Sequence, residues 1–257
     1  MTKIIGIIPA RMAASRFPGK PLHPILGRPM IEHCFERAKK FKAWDGLFIA
    51  TCDEEIRTFA KLKGYPVIMT ADTHTRALDR VAEAIEKCGL DVDENDLVLN
   101  VQGDEPMMHP DMIDAVIKPM KERNHIHGVI LAMDIVDEEQ YQNPDILKII
   151  HDLEGRVLYT SRRPIPYCKP GMFSAGLGAK RIYGIFGFRW HFLKLFTGLA
   201  QSPLELAEAC DSNRLYDNGY HQYIAPYPYR PSFSVDSPED LQRVERHMKN
   251  DPLWGKY

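Results

Sequence analysis

The chain has 257 residues, with 33 Lys and Arg against 35 Asp and Glu, and a formal net charge of -2. This balance argues against a nucleic-acid-binding protein, which usually carries a strong basic excess. An apolar fraction of 44% and a charged fraction of 26% are typical of a globular chain and exclude a disordered one. No apolar run approaches the ~20 residues that span a bilayer, so no membrane partner is expected. Five scattered cysteines without a C-x-x-C pair favour a reduced, cytoplasmic protein over a disulfide scaffold.

Strand and helix patterns alternate through the first half of the chain. Continuous apolar runs predict strands at residues 3–9, 47–51, 67–69, 97–101 and 129–135. Amphipathic spacing predicts helices at 30–41, 53–63, 78–88 and 110–123. This alternation indicates an α/β fold with a mostly parallel sheet and helices on both faces. Ligands of such sheets bind at the carboxyl ends of the strands, which directs attention to the loops that follow them.

The second half is less regular. It predicts a hairpin at 146–150 and 157–160, a strand at 184–188, and helices at 191–199, 204–210 and 238–249. The glycine-rich stretch 171–178 is expected to be a mobile loop, and the tyrosine- and proline-rich stretch 223–231 a packed irregular segment. Because no linker or repeat is visible, we predict one domain over residues 1–257. A smaller inserted sheet and helix lobe, at about 136–230, is expected to shape the acceptor site and a dimer contact.

The loop after the first strand concentrates positive charge. Arg11, Arg16 and Lys20 lie there among small residues and Gly19. Small residues let backbone N–H groups approach an anion, and the cations neutralise it, so the loop suits a polyphosphate. The alternative is a solvated loop with ordinary surface charges.

Two acidic segments follow later in the chain. Asp104 and Glu105 come directly after an apolar strand, where hard oxygen ligands suit Mg²⁺ bound jointly with substrate phosphates; the alternative is a polar turn. Asp236 precedes Ser237 and Pro238, which fit the cap and first turn of a helix. That structural role explains most of this segment but leaves Asp236 unexplained. Asp236 is a second candidate metal ligand if the fold brings it beside Asp104.

These segments together resemble a known family. The stretches IIPAR, PGKPL, LVLNVQGDEP, LYTSR and SVDSPEDLQRV occur in this order between Ile4 and about Met248. They are similar to the CMP-Kdo synthetases, the 3-deoxy-manno-octulosonate cytidylyltransferases. The resemblance implies a Rossmann-like nucleotidyltransferase fold, usually in a homodimer. It also implies a reaction in which CTP and a 3-deoxy-2-keto sugar acid give a CMP-sugar acid and pyrophosphate with Mg²⁺.

The resemblance also assigns roles to individual residues. Arg11, Arg16 and Lys20 would hold the nucleotide phosphates, and Arg80 and Gln102 would complete the nucleotide site. Asp104 and Asp236 would hold the metal and, with Lys20, form the catalytic group. The acceptor site would contain Gln102, Arg162, Tyr183 and Asp211, with Arg162 as the partner of the acceptor's carboxylate.

The chain departs from the family where specificity is expected. The family's Ser-Gly-Thr before an acidic-Arg pair is lost in the stretch from Thr75 to Arg80, where Arg76 and Leu78 are bulkier, although the pair Asp79-Arg80 is kept. Ile182 and Tyr183 stand where the family has His-Leu, and Asp211 and Ser212 stand where it has Glu-Gln. Three changes in polar acceptor contacts favour the same chemistry on a different carboxylate or phosphonate acceptor. The residues also leave open a sugar 1-phosphate nucleotidyltransferase and a non-catalytic nucleotide-binding homologue.

Overall fold

The computed structural model describes residues 2–13, 16–169 and 171–257; Ala14 and Ser15 of the cationic loop lie outside them. The strands are β1 (Ile4–Pro9), β2 (Pro24–Ile25), β3 (Arg28–Pro29), β4 (Gly46–Thr51), β5 (Val67–Met69), β6 (Leu97–Val101), β7 (Gly128–Asp134), β8 (Lys148–His151), β9 (Val157–Ser161), β10 (Lys180–Arg189) and β11 (Tyr223–Tyr227). The helices are α1 (Met30–Ala38), α2 (Glu54–Leu62), α3 (Ala77–Lys87), α4 (Pro110–Glu122), α5 (Glu138–Gln142), α6 (Trp190–Gly198), α7 (Pro203–Glu208), α8 (Asn213–Asp217) and α9 (Pro238–Met248).

A central sheet organises the molecule, with the strand order β11-β7-β10-β6-β1-β4-β5. The neighbours β6-β1-β4-β5 pair in parallel, as do β11 and β7. Strand β10 lies between β6 and β7 and runs antiparallel to both. The predicted α/β class with a mostly parallel sheet is therefore confirmed, with one antiparallel strand at its centre.

Both faces of this sheet are covered by helices. In β1, Ile4 and Ile8 face one apolar cluster and Ile5 and Ile7 face the other, and all four are buried. Helices α1, α2, α4 and α9 cover the first face, whereas α3, α6 and α8 cover the second. The continuous apolar run of β1 thus has the cause expected from the sequence, namely burial on both sides.

The predicted elements of the first half agree with the structure to within a few residues at their ends. The largest difference is the tyrosine- and proline-rich stretch, expected to be irregular, which forms strand β11. Pro226 in this strand cannot donate a ladder hydrogen bond, but β11 is the last strand of the sheet and needs donors on one side only. The short pair β2 and β3, and helices α5 and α8, also lack a sequence prediction.

The stretch 136–230 divides between the central sheet and its periphery. Strands β10 and β11 belong to the sheet itself, whereas the hairpin β8–β9 joins it through β10. Helix α8 packs against β9 of this hairpin, and α7 packs against α8. The glycine-rich stretch includes a 3-10 turn at Ala175–Leu177. No helix among residues 2–13, 16–169 and 171–257 is both long and apolar enough to cross a membrane.

A buried ion pair fastens the segment after α9 to helix α1. Arg37, which is fully buried, donates to Asp251 at 2.9 Å, and the ring of His109 lies 3.2 Å from the other carboxylate oxygen. Burial alone would raise the pKa of Asp251, but the His109 hydrogen bond and the Arg37 charge outweigh it and lower the pKa to about 2. The carboxylate of Asp251 is thus the counter-charge that keeps Arg37 paired in the interior.

We expect Asp251→Asn to destabilise the fold by about 3–5 kcal/mol, because a buried guanidinium loses its counter-charge. The folded-state pKa of Asp251 is depressed, so its stabilisation is present above the unfolded value of about 4. It is lost as the pH falls toward about 2, and acid sensitivity between these values should be weaker in the variant. Urea unfolding measures both effects.

Glu122→Gln is the matched control for this variant, because Glu122 pairs with Lys118 at an exposed position. It should cost no more than ~0.5 kcal/mol, the usual value for such helix pairs. A loss below about 1 kcal/mol for Asp251→Asn would contradict the role given to the buried pair.

Candidate active site

The carboxyl ends of β1 and β6 open into a cavity of about 240 Å³, the inner cavity. Its wall carries the cations Arg11, Lys20, Arg76 and Arg80. The loop after β1 and the start of helix α3 supply these side chains, and the loop after β6 closes the cavity on the other side. The strand-end loops thus form a cationic cavity, as the α/β pattern predicts.

Lys20 joins the three segments that the sequence singles out. Its ammonium donates to Asp104 at 3.0 Å and to the carbonyl oxygen of Val235 at 2.7 Å. A carboxylate oxygen of Asp236 lies 3.8 Å from the same nitrogen. The backbone N–H of Val235 donates to the carbonyl oxygen of Asp104 at 3.0 Å. The fold therefore brings Asp236 beside Asp104, which the sequence leaves open.

The carboxylates of Asp104 and Asp236 are close enough to repel each other. Burial and the charge of Asp104 raise the pKa of Asp236, against the opposing charges of Lys20 and Arg16. Oδ1 of Asp104 is buried and accepts no hydrogen bond among the residues described. Carboxylate pairs with a free oxygen suit a hard divalent cation, which would relieve this repulsion. Residues Asp104 and Asp236 thus fit Mg²⁺.

The described part of the chain contains no group of three His, Cys, Asp or Glu side chains arranged to hold a metal. Two protein carboxylates are nevertheless a common set for Mg²⁺, which keeps waters and binds substrate phosphates. The arrangement therefore suits a metal shared with a phosphorylated substrate.

The segment after Asp236 has the capping role expected from its sequence. A carboxylate oxygen of Asp240 accepts from the backbone N–H groups of Asp236 and Ser237 at 2.9 and 2.8 Å. Pro238 occupies the first position of α9. These bonds fix the backbone that carries Asp236, so the cap and the candidate metal ligand belong to one structural unit.

A second cavity of about 220 Å³, the outer cavity, adjoins the first. Gln102 and Asp104 line both cavities and so form the boundary between them. The outer cavity is also lined by Arg16, Asp236 and Asp211. Two adjoining cavities with a cation-carboxylate cluster at their boundary can hold two substrates with their reacting groups together.

Arg16 and Arg80, assigned to the nucleotide, occupy different positions. Arg16 is largely exposed and forms an ion pair with Asp236 at 3.0 Å, so it lies on the outer side of the cluster. Arg80 is buried beneath the inner cavity and donates to Thr70 and to the carbonyl oxygen of Ala71. One of its terminal nitrogens has no hydrogen-bond partner among the described residues, which leaves it available to a ligand.

The residues predicted for the acceptor also separate. Arg162 and Asp211 line the outer cavity. Burial raises the pKa of Asp211, and the charge of Arg76 opposes that shift. Tyr183 lies behind the wall: it is 1% exposed, and its hydroxyl bonds to Ser232. This geometry does not support direct contact between Tyr183 and a ligand, since Tyr183 is buried and its neighbours Arg181, Ile182 and Gly184 line the cavity in its place.

Arg76, which departs from the family pattern, connects helix α3 to helix α7. It forms a bidentate pair with Asp79 at 2.7 and 2.9 Å and lies 3.7 Å from Glu205 of α7. Glu205 in turn accepts from the fully buried Arg214. The bulk of Arg76 is thus accommodated by an ion-pair network toward α7.

The sequence predicts no role for the buried Glu105 beyond that of a polar turn or a metal-binding segment. Burial and the charge of Asp104 raise its pKa to about 7, and Ser234 donates to it at 2.5 Å. A Cβ at Gly184 would lie 2.8 Å from both Oε1 of Gln102 and Cγ of Glu105. The strand pattern at 184–188 contains a signal for this close approach, because glycine inside a strand often marks one.

Comparison with known proteins identifies the class of enzyme. A family model described as cytidylyltransferase matches residues 5–224. The chain belongs to the cytidylyltransferase family. This result confirms the resemblance and the transferase class predicted from the sequence motifs.

Individual relatives cover almost the whole chain. A 3-deoxy-manno-octulosonate cytidylyltransferase from Thermodesulfovibrio yellowstonii is 39% identical over 248 residues, 94% of this chain and 96% of that protein. The enzyme of the same description from Nitratidesulfovibrio vulgaris is 40% identical over 240 residues, 93% of each chain. A solved structure of CMP:2-keto-3-deoxy-manno-octonic acid synthetase complexed with CTP superposes with a TM-score of 0.87. Its sequence identity is 29%, and the match covers 97% of this chain and 99% of that one.

We expect Gly184→Ala to lower kcat/KM for nucleotidyl transfer on the order of 10- to 100-fold, because the added methyl group displaces Gln102 and Glu105 at the cavity boundary. Steady-state pyrophosphate release measures the effect, and circular dichroism checks the fold. The control is Gly198→Ala, where an added Cβ meets nothing within 4 Å. Activity of Gly184→Ala within about twofold of wild type would contradict the proposed steric constraint.

Proposed function

We propose that this cytidylyltransferase transfers CMP from CTP to a 3-deoxy-2-keto sugar acid, with 3-deoxy-manno-octulosonate as the acceptor. The observation that carries the proposal is the Lys20–Asp104–Asp236 cluster, which lies where the two cavities meet. The names of the relatives, and the CTP in the similar solved structure, support the same pair of substrates.

The inner cavity is proposed to hold CTP. Arg11 and Lys20 lie on its wall and would bind the triphosphate, because ammonium and guanidinium groups pair well with phosphate oxygens. The partnerless nitrogen of Arg80 and the amide of Gln102 would donate to the rest of the nucleotide. Arg16, on the outer side, would contact the phosphates that face the second cavity.

Mg²⁺ is proposed to bind Asp104 and Asp236. Support comes from the partnerless oxygen of Asp104 and from the raised pKa of Asp236, which reflects crowded negative charge. When bound, the metal would offset negative charge on the phosphate oxygens as the phosphorus centre reacts. Lys20 and Arg16 form ion pairs with these two carboxylates.

The chain's own residues would catalyse the transfer by positioning and charge. The anomeric hydroxyl of the acceptor would release its proton to water, and its oxygen would form a bond to the α-phosphorus from the outer cavity. The bond from that phosphorus to the bridging oxygen breaks, and pyrophosphate leaves with the electron pair on the inner side. Lys20 would neutralise the departing pyrophosphate, and Gln102 would hold the two substrates in line at the boundary.

One feature of the outer cavity favours a different acid as the acceptor. Ile182, Phe186 and Cys210 are among the residues that line the cavity. Their side chains give no strong hydrogen bond to a sugar hydroxyl, and a buried hydroxyl without a partner costs ~1–3 kcal/mol. The same chemistry on an acid with fewer hydroxyls, or on a phosphonate, is therefore the second candidate function.

The assembly and location are proposed as a homodimer in the cytoplasm. All five cysteines are free, which suits a reducing compartment. Leu153, Leu158, Tyr167 and Met172 of the 136–230 stretch are exposed apolar side chains. A second copy of the chain would cover such side chains and remove them from water.

Pyrophosphate release, measured with each of the four nucleoside triphosphates against a panel of acceptors, tests the function. The panel contains 3-deoxy-manno-octulosonate, smaller 2-keto acids, a phosphonate and sugar 1-phosphates. We expect release with CTP and the octulosonate. A tenfold or larger preference for another acid would select the second candidate, dependence on a sugar 1-phosphate would replace the acceptor class, and silence with every pair would remove the function.

We expect Asp104→Asn to reduce turnover by about 1,000-fold or more, because the variant loses a charge at the reacting phosphate. The fold should survive, as circular dichroism and thermal melting would record. Titration of Mg²⁺ in the assay should show the variant's weaker metal dependence. Asp114→Asn, at an exposed position of α4, is the control. Near-normal turnover by Asp104→Asn would remove this residue from the metal site.

A further inference from the structure

Three arginines line the outer cavity, and their guanidinium groups differ in the partners that they already have within the protein. Arg16 is paired with Asp236 at 3.0 Å and lies 3.6 Å from Asp145. Arg162 donates through Nε to the carbonyl oxygen of Glu208 at 2.9 Å. Its two terminal nitrogens donate to the carbonyl oxygens of Pro144 at 3.0 Å and Ala209 at 3.3 Å. Every nitrogen of Arg162 therefore already has an acceptor within the protein.

Arg181 is the third, and it is the buried one, with 9% of its surface exposed. One terminal nitrogen donates to the carbonyl oxygen of Ser232 at 3.0 Å and lies 4.0 Å from the sulfur of Met133. Its Nε is buried and donates to nothing among the described residues. Among the described residues, no carboxylate forms an ion pair with Arg181. Its charge does lower the pKa of the nearby Glu105, against the larger effect of burial. Buried guanidinium groups are normally paired.

The position of Arg181 relates it to the reacting groups. Arg181 and Asp236 line the outer cavity together, and they also share the wall of a smaller adjoining cavity of about 170 Å³. In a 2-keto sugar acid the carboxylate is attached directly to the carbon whose oxygen is transferred. A cation that receives this carboxylate must therefore face the same cavity as Asp104 and Asp236, as Arg181 does.

We propose that Arg181 is the acceptor-binding residue that receives the acid's carboxylate, in place of Arg162. The inference rests on the proposed function and assigns it a specificity-determining residue. The free Nε and a terminal nitrogen form the edge that can donate two parallel hydrogen bonds to a carboxylate. The acceptor's carboxylate would supply the direct partner that no described residue provides for Nε of Arg181. Arg162 instead fixes the chain around Pro144, Glu208 and Ala209.

The test compares Arg181→Met with Arg163→Met, a nearby exposed arginine given the same substitution. The acceptors are 3-deoxy-manno-octulosonate and its C1 carboxamide, each with CTP. We expect the wild type and Arg163→Met to prefer the acid by about 50-fold or more in kcat/KM. In Arg181→Met, the KM for the acid should rise by a similar factor and the preference should fall to within about fivefold. The KM for CTP should change by less than about threefold.

Arg181→Lys keeps the charge without the fork, so it should give an intermediate preference and an acid KM raised by about tenfold. This variant decides the matter if Arg181→Met does not fold. An unchanged acid preference in either folded variant would overturn the inference while the proposed function stands. A rise in the KM for CTP equal to that for the acid would indicate a structural role and would also overturn it. Absence of turnover by the wild type with every acid would overturn the proposed function and this inference together.

Discussion

The active site depends on one ammonium group placed between two carboxylates. Lys20, near the start of the chain, bonds to Asp104 and to the carbonyl oxygen of Val235, which precedes Asp236 near the end of the chain. Without this cation, two acidic side chains at the strand ends would repel each other in a partly buried space. Its bonds also bring the loop after β1, the loop after β6 and the segment before α9 together. The contacts of Lys20 therefore neutralise the two carboxylates and also hold the three segments together.

Much of the fold follows from patterns that physical chemistry makes readable. Strand β1 is an apolar run because both its faces are buried, and the helices of the first half show regular amphipathic spacing. Some elements are not predicted because their local sequence disfavours the structure that the rest of the fold imposes. Strand β11 contains Pro226 and reads as irregular, yet the sheet edge tolerates it. The direction of β10 depends on long-range packing, which no local pattern encodes.

The site is predictable in a similar measure. Lys20, Asp104 and Asp236 stand in motifs whose residue types suit phosphate and metal, and the structure brings them together. Arg162 and Tyr183 show the limit of position alone. Arg162 donates from each of its three nitrogens to backbone carbonyl oxygens, and Tyr183 is buried with its hydroxyl bonded to Ser232. Whether a polar side chain is free to bind a ligand depends on hydrogen bonds from residues distant in sequence.

The antiparallel strand β10 connects one wall of the outer cavity to the central sheet. The N–H of Gln102, just beyond β6, donates to the carbonyl oxygen of Gly184 at 3.0 Å, so ladder bonds fix the wall of the outer cavity to the strand that leads to Asp104. The opposite wall, near Cys210 and Asp211, comes from the peripheral segment between α7 and α8. None of Lys20, Asp104 and Asp236 lies in that segment, so it can vary without moving them. Enzymes built this way can diversify their substrates while the transfer machinery stays constant.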